Sequence, residues 1–113
     1  MRYEETINLL LRSIDNRNKN ETDDEKEARE NNFMEAIRLL QEQSIGISKE
    51  FLENELRIEK VSNRESIKKV NRFCNKLAEK GKITYQEYSV SRRTHNRYKT
   101  DRAEVIYNFI TAK

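Results

Sequence analysis

The stretch from Ser62 to Lys82 constrains the fold most, because both ends and the interior of one helix can be read from it. Ser62 is followed three residues later by Glu65, a capping-box pattern that begins helices. Gly81 can take the left-handed backbone conformation past a helix end without a Cβ penalty. Apolar residues recur between them in steps of three and four, with Phe73 beside them: Ile67, Val70, Cys74 and Leu77. This spacing predicts an amphipathic helix over residues 63–80.

The opposite side of this predicted helix carries long cations and amides: Arg64, Lys68, Asn71, Arg72, Asn75 and Lys76. Such side chains bond phosphate oxygens and purine edges. A charged helix face is, however, more often simply solvated. Whether this face binds a ligand or is only solvated therefore depends on the rest of the chain.

The charge of the chain is divided unevenly along its length. Residues 1–56 hold 8 Lys and Arg against 14 Asp and Glu, a net charge of −6. Residues 57–113 hold 15 against 6, a net charge of +9, and the two halves give the chain its net charge of +3. This division indicates that the second half binds a polyanion and that the acidic half has another role.

Composition excludes several classes of protein. A chain of 113 residues that is 35% hydrophobic and 38% charged can form one domain with a modest core. Its apolar runs are far shorter than the roughly 20 residues that span a bilayer. The N-terminus lacks the pattern of a signal peptide, so we expect a cytoplasmic protein with no membrane partner. The single cysteine, Cys74, excludes an intrachain disulfide and a four-cysteine zinc site.

Three further helices are predicted before the basic one. The first spans residues 2–14 and has one apolar face, formed by Tyr3, Ile7, Leu10, Leu11 and Ile14. The second begins near Asp23 behind a capping box of Thr22 and Glu25. Its first turns are polar enough to be disordered instead, and its apolar pattern becomes firm from Phe33. The third helix is capped by Ser48 and turns three apolar residues inward, Phe51, Leu52 and Leu56.

The periodicity changes to two after Gly81. Alternating residues from Ile83 to Tyr88 predict a strand. Residues 89–102 are polar and strongly basic, which predicts a loop. Residues 103–110 are rich in β-branched and aromatic side chains, which favours a strand. The capping pair Asp101 and Glu104 fits a helix over the same residues, so both conformations stay open.

This order of elements resembles the winged helix-turn-helix family over residues 32–111. The order is helix, short strand-like joint, helix, turn, basic helix, glycine, strand, basic loop and strand. Leu77, Gly81 and Ile83 at the end of the basic helix carry the resemblance, together with the basic loop in the wing position. It implies a mainly α fold with a small β-hairpin (α+β), preceded here by the N-terminal amphipathic helix. Residues 1–31 then form an acidic helix and linker, and residues 32–113 form a winged-helix DNA-binding domain.

The resemblance also implies a function, that of a sequence-specific double-stranded DNA-binding protein that regulates transcription. Helix 63–80 would read the major groove, through Asn63, Arg64, Lys68, Lys69, Asn71, Arg72, Asn75 and Lys76. The basic wing over residues 88–102 would contact the backbone or the minor groove, through Arg92, Arg93, His95, Arg97, Lys99 and Arg102. Three tyrosines among these cations either bond phosphates or pack on the sheet: Tyr85, Tyr88 and Tyr98.

A homodimer is expected, with the N-terminal helix as its arm. The stripe of Tyr3, Ile7, Leu10, Leu11 and Ile14 is not needed to close a three-helix winged core, so it can pair with the same stripe of a second chain. The alternative is that this helix folds back onto its own domain.

Other classes of function are weaker. His95 is the only histidine and has no carboxylate neighbour in the sequence, and no phosphate-binding loop or metal-ligand spacing is present. We therefore expect no enzyme activity, no metal, no cofactor and no small-molecule ligand. The alternative function is a winged-helix protein-interaction or RNA-binding module without a specific DNA site. The Asn, Lys, Ile and Glu bias is compatible with an A+T-rich genome and suggests a viral or plasmid protein.

Overall fold

The computed structural model describes the backbone of residues 2–59, 61–95 and 100–113, and their side chains outside residues 92–103. Within these residues four helices precede one antiparallel pair of strands: α1 Tyr3–Ile14, α2 Asp23–Glu42, α3 Lys49–Ile58, α4 Asn63–Glu79, β1 Ile83–His95 and β2 Thr100–Ala112. The predicted mainly α fold with a β-hairpin is confirmed. None of the helices in this described part is long and apolar enough to cross a membrane.

The helix ends lie where the capping residues predict them. The hydroxyl groups of Thr22, Ser48 and Ser62 accept hydrogen bonds from the backbone N–H three residues later, at distances of 3.2, 3.0 and 3.2 Å. At the other end of α4, Gly81 has a φ of 71°. The N–H groups of Gly81 and Lys82 donate to the carbonyls of Ala78 and Leu77, which is a Schellman motif. Local sequence therefore fixes both ends of α4.

The hairpin is longer than the sequence predicts. β1 and β2 pair from Ile83 opposite Ala112 to His95 opposite Thr100, so most of the predicted basic loop over residues 89–102 is strand. Two strands of 13 residues reach about 43 Å when extended. Residues 103–110, for which the sequence allows a strand or a helix, are part of strand β2. The prediction of a loop was wrong because it rested on polarity, whereas the backbone ladder continues through polar residues once both strands are present.

A third segment joins β2 from the side of the helices. Ser48 forms a β-bridge with Phe109, and the N–H of Ile110 donates to the carbonyl of Ile47 at 2.9 Å. The carboxylate of Glu50 accepts from the backbone and side-chain nitrogens of Asn108, at 3.0 and 2.9 Å. The joint between α2 and α3 is thereby attached to the hairpin.

One core includes residues from every element. Its buried members come from all four helices and both strands: Leu10, Phe33, Ile37, Leu52, Leu56, Val70, Cys74, Leu77, Ile83 and Ile110 are among them. The predicted division after residue 31 falls inside α2, which is continuous from Asp23 to Glu42. That division therefore does not separate two structural units, because α1 and α2 contribute to the same core as the rest.

The burial of α1 corrects the predicted dimerisation surface. Ile7, Leu10, Leu11 and Ile14 are 0–7% exposed in the single chain, and α1 contacts α2, α3 and α4. Of the predicted stripe only Tyr3 is exposed, at 44%. The stripe packs inward because a single amphipathic helix gains more by covering its own chain's core than by staying free in water. A homodimer, which stays a prediction, requires another surface.

We expect Leu10→Ala to lower the free energy of unfolding by about 2–5 kcal/mol, because it leaves a cavity in a core position. Urea unfolding followed by far-UV circular dichroism measures this loss. Ile58→Ala is the matched control, since Ile58 is 67% exposed, and it should change stability by less than about 0.5 kcal/mol. Equally small losses in the two variants would show that α1 is not part of the core.

Cys74 is expected to be unreactive in the folded chain. Burial raises the pKa of its thiol to about 12, so about one thiol in 10⁴ is ionised near pH 8. An aromatic disulfide reagent should therefore label the native protein slowly and the urea-unfolded protein within the mixing time. Fast labelling under native conditions would contradict the burial of this side chain.

Candidate nucleic-acid interface

The outward face of α4 carries cations in steps of four. Arg64, Lys68 and Arg72 are exposed and share this face, because residues four apart are neighbours on a helix surface. Within the part of the chain that the structure describes, none of the three forms an ion pair or a side-chain hydrogen bond. Three fixed positive charges are thus presented to solvent along one line of the helix.

The inner face of α4 holds the helix in place. Ser66, Val70, Phe73, Cys74 and Leu77 are buried, and the hydroxyl of Ser66 donates to the carbonyl of Ser62 at 2.8 Å. Ile67, which the periodicity places on the apolar stripe, is 39% exposed and lies at the edge of the packed face. The packed face is therefore narrower than predicted.

The other predicted residues of α4 have contacts within the chain. Asn63 accepts from Arg57 at 3.3 Å, and Asn75 accepts from the hydroxyl of Tyr85 at 3.4 Å. Lys69 pairs with Asp15 at the end of α1. Asn71 is half-buried, and Lys76 lies beside Lys26 of α2. The predicted set thus divides into free cations on the outward face and residues that are partly engaged.

The predicted wing residues lie largely beyond what the structure describes. Backbone pairing places Arg92 opposite Ala103 and Arg93 opposite Arg102, and His95 ends β1. The side chains of these residues lie outside the described part, and Arg97 and Lys99 lie outside the described residues altogether. Their contact with nucleic acid stays a prediction that rests on the sequence.

The tyrosines of the hairpin have different surroundings. Tyr85 is half-buried, with the ammonium of Lys49 at 5.1 Å from its ring centroid, and burial raises the pKa of its hydroxyl. Tyr88 is 59% exposed and meets Phe109 edge to face, with ring centroids 6.3 Å apart. Packing is therefore the main role of Tyr85, whereas Tyr88 keeps most of its surface in water. Tyr98 lies outside the described residues.

Arg29 of α2 is a residue that sequence reasoning missed. Its guanidinium donates to Glu21 at 2.8 and 3.0 Å and to the carbonyl of Ser13, and it lies 5.5 Å from the ring centroid of Phe73 in α4. The hydrogen bond from Arg29 holds the pKa of Glu21 below its ordinary value. Its position in an acidic run of the sequence gave no sign of this role, because Ser13 and Phe73 lie 16 and 44 residues away.

The described residues contain no group of three or more His, Cys, Asp or Glu side chains that can hold a metal ion. The chain matches no protein-family model, no curated protein and no solved structure.

The outward cations of α4 are expected to be dispensable for folding. Changing Arg64, Lys68 and Arg72 together to Ala should alter the free energy of unfolding by no more than about 0.5 kcal/mol per site, because exposed side chains without partners contribute little. Arg29→Ala should cost about 1–3 kcal/mol, since it removes a charge-assisted bond to the Ser13 carbonyl and the contact with Phe73. Thermal and urea unfolding compare the two proteins. A large loss in the triple variant would mean that this face supports the fold.

Proposed function

We propose that this chain is a winged helix-turn-helix protein that binds double-stranded DNA at specific sequences and regulates transcription. The observation that carries the proposal is the outward face of α4, where Arg64, Lys68 and Arg72 stand exposed without partners among the described residues. A surface cation that the fold does not use is available to a ligand, and three of them in line match a polyanion.

The architecture supports the family assignment. Helix α2 is followed by the bridge at Ser48, then by α3, α4 and the β1–β2 hairpin, which is the order of elements that the family resemblance requires. In this family the third helix enters the major groove and the hairpin lies beside it. Here α4 is the third helix of that order, and Gly81 leads directly from it into β1.

The dimensions and chemistry of α4 suit major-groove reading. Its 17 residues give a rod about 25 Å long, and the major groove admits a helix of this width. Arginine and lysine bond the O6 and N7 atoms of guanine, and exposed residues four apart can reach successive base pairs. The arginines of the hairpin would add contacts to phosphates, which contribute affinity without sequence preference.

Two carboxylates of the acidic half form ion pairs with cations of the basic half among the described residues. Asp15 pairs with Lys69, and Glu30, which is 2% exposed, pairs with Lys80 at 2.6 Å. Each pair cancels one negative and one positive charge. Arg64, Lys68 and Arg72 of α4 stay without an ion pair among the described residues.

A protein-interaction module is the second candidate. Ile67 lies 39% exposed on α4 itself, and an apolar side chain on this helix suits a protein groove better than a DNA groove. Binding of RNA without a specific DNA site belongs to the same second candidate. Competition between a selected duplex, random duplex and single-stranded RNA separates these cases.

The proposal predicts that α4 provides sequence preference and that the hairpin provides affinity without sequence preference. A preferred site is first selected from random duplexes, and affinities are then measured by fluorescence anisotropy over a range of salt concentrations. Lys68→Ala should cost about 1–3 kcal/mol on the selected site and relax its sequence preference. Arg93→Ala should weaken all duplexes alike and reduce the slope of log affinity against log salt by about 1.

Arg12→Ala is the control, since it removes one exposed positive charge from α1. It should leave affinity, sequence preference and salt slope nearly unchanged. If Lys68→Ala reduces specific and random binding equally, α4 does not read bases. If no duplex outcompetes random DNA, the transcription-regulator proposal fails and the interaction module is favoured.

A further inference from the structure

A concave site adjoins the outward face of α4 and shares Arg72 with it. This cleft has a volume of about 320 Å³ and is formed by α2, α4 and the segment that joins α1 to α2. We name it the α2–α4 cleft and define it by its basic and aromatic lining residues: Lys26, Arg29, Lys69, Arg72, Phe73 and Lys76. Ile14, Asn16, Glu21 and Glu30 complete the lining, so five cations and two carboxylates are among its ten residues.

The carboxylates in the cleft are already engaged. Glu21 is held by Arg29 at 2.8 and 3.0 Å. Glu30 is held by Lys80 at 2.6 and 2.9 Å, with Lys82 at 3.8 Å. Lys26 also contributes to the lowered pKa of Glu21, but among the described residues neither acid forms an ion pair with Lys26, Arg72 or Lys76.

Three cations of the cleft have no carboxylate partner among the described residues. Lys69 pairs with Asp15, which leaves Lys26, Arg72 and Lys76. They come from two helices, α2 and α4, and converge on one cavity. Positive side chains from separate elements that face a common space form the usual arrangement for binding a multiply charged anion.

The two lysines are close enough to repel each other. Lys26 is the largest cause of the lowered pKa of Lys76, and Lys80 and Arg72 lower it further. Bringing two ammonium groups together disfavours their charged forms, and an anion placed between them removes this cost. The free protein thus holds a repulsive arrangement that an anionic ligand would relieve.

We propose that the α2–α4 cleft binds a free polyphosphate anion, a di- or triphosphate group, through Lys26, Arg72 and Lys76. The volume suits a compact ligand, and the guanidinium of Arg72 can bond two phosphate oxygens at once. Phe73 is only 9% exposed and Arg29 lies over its ring, so no aromatic face is open for a base to stack upon. Recognition therefore falls on the phosphates and not on a nucleobase.

Arg72 belongs both to the cleft and to the outward face of α4. A ligand that holds Arg72 in the cleft would lower affinity for duplex DNA, and this coupling rests on the proposed function. The binding of the anion itself does not rest on the proposed function, because it is measured on the protein without DNA. A failure of anion binding is therefore distinguishable from a failure of DNA binding.

Isothermal titration of the full chain with sodium tripolyphosphate, without DNA and at constant ionic strength, tests the site. We expect saturable binding with one anion per chain. Lys26→Gln and Lys76→Gln should each weaken it about tenfold, equal to about 1.4 kcal/mol, because each removes a charge-assisted bond. Arg12→Gln makes the same change of charge on α1 outside the cleft and should stay within about twofold.

A second readout depends on protonation. Because the pKa of Lys76 is lowered in the free chain, the anion should raise it again, so binding should take up protons and weaken as pH rises through the pKa of the free chain. The heat of binding at alkaline pH should then vary with the ionisation enthalpy of the buffer, and Lys76→Gln should remove most of that variation. Circular dichroism checks that every variant is folded.

Several outcomes would overturn the proposal. One is the absence of saturable binding of tripolyphosphate. Another is an equal loss of affinity in all three Gln variants, which would indicate general attraction to a basic chain. A third outcome is that Lys26→Gln weakens the binding of duplex DNA while the wild-type chain does not bind tripolyphosphate. The cleft would then hold a DNA backbone phosphate and no free anion.

Discussion

The guanidinium group of Arg29 joins parts of the molecule that the sequence keeps far apart. It bonds the end of α1 through the carbonyl of Ser13, the segment before α2 through Glu21, and α4 through the ring of Phe73. A largely buried cation requires several partners, and here they come from both sides of α2. Because these contacts fix α1 against α4, the N-terminal helix is part of the domain and not a detachable arm. Glu21, Arg29 and Phe73 also line the α2–α4 cleft.

The fold uses the uneven charge of the sequence in two ways. Part of the negative charge of the first half is neutralised across the core boundary, by pairs that join residues 54 and 50 positions apart, Asp15 with Lys69 and Glu30 with Lys80. Arg64, Lys68 and Arg72 of α4 stay without an ion pair among the described residues. Two halves of opposite net charge thus belong to one domain, and specific ion pairs join them.

The sequence predicts those features whose causes are local. The caps at Ser62 and Ser48 and the left-handed Gly81 follow from residues within four positions of each other, so they were predicted correctly. The burial of α1, the extension of β1 to His95 and the exposure of Ile67 depend on which surfaces meet in three dimensions, and a periodic pattern does not contain that information. The cleft was missed for the same reason, since Lys26 stands in an acidic run and meets Lys76 only after α2 packs on α4. The exposure of Arg64, Lys68 and Arg72 on α4 was predicted correctly, because a helix face without apolar residues does not pack against the core.

The bridge between Ser48 and Phe109 has a consequence for the order of folding. It joins positions separated by about 60 residues, and closing so large a loop costs more chain entropy than forming the helices, whose contacts are local. The helices α1 to α4 can therefore collapse first, but their core stays open at the side that Ile83 and Ile110 fill. During synthesis the apolar groups on that side remain accessible until β2 has left the ribosome.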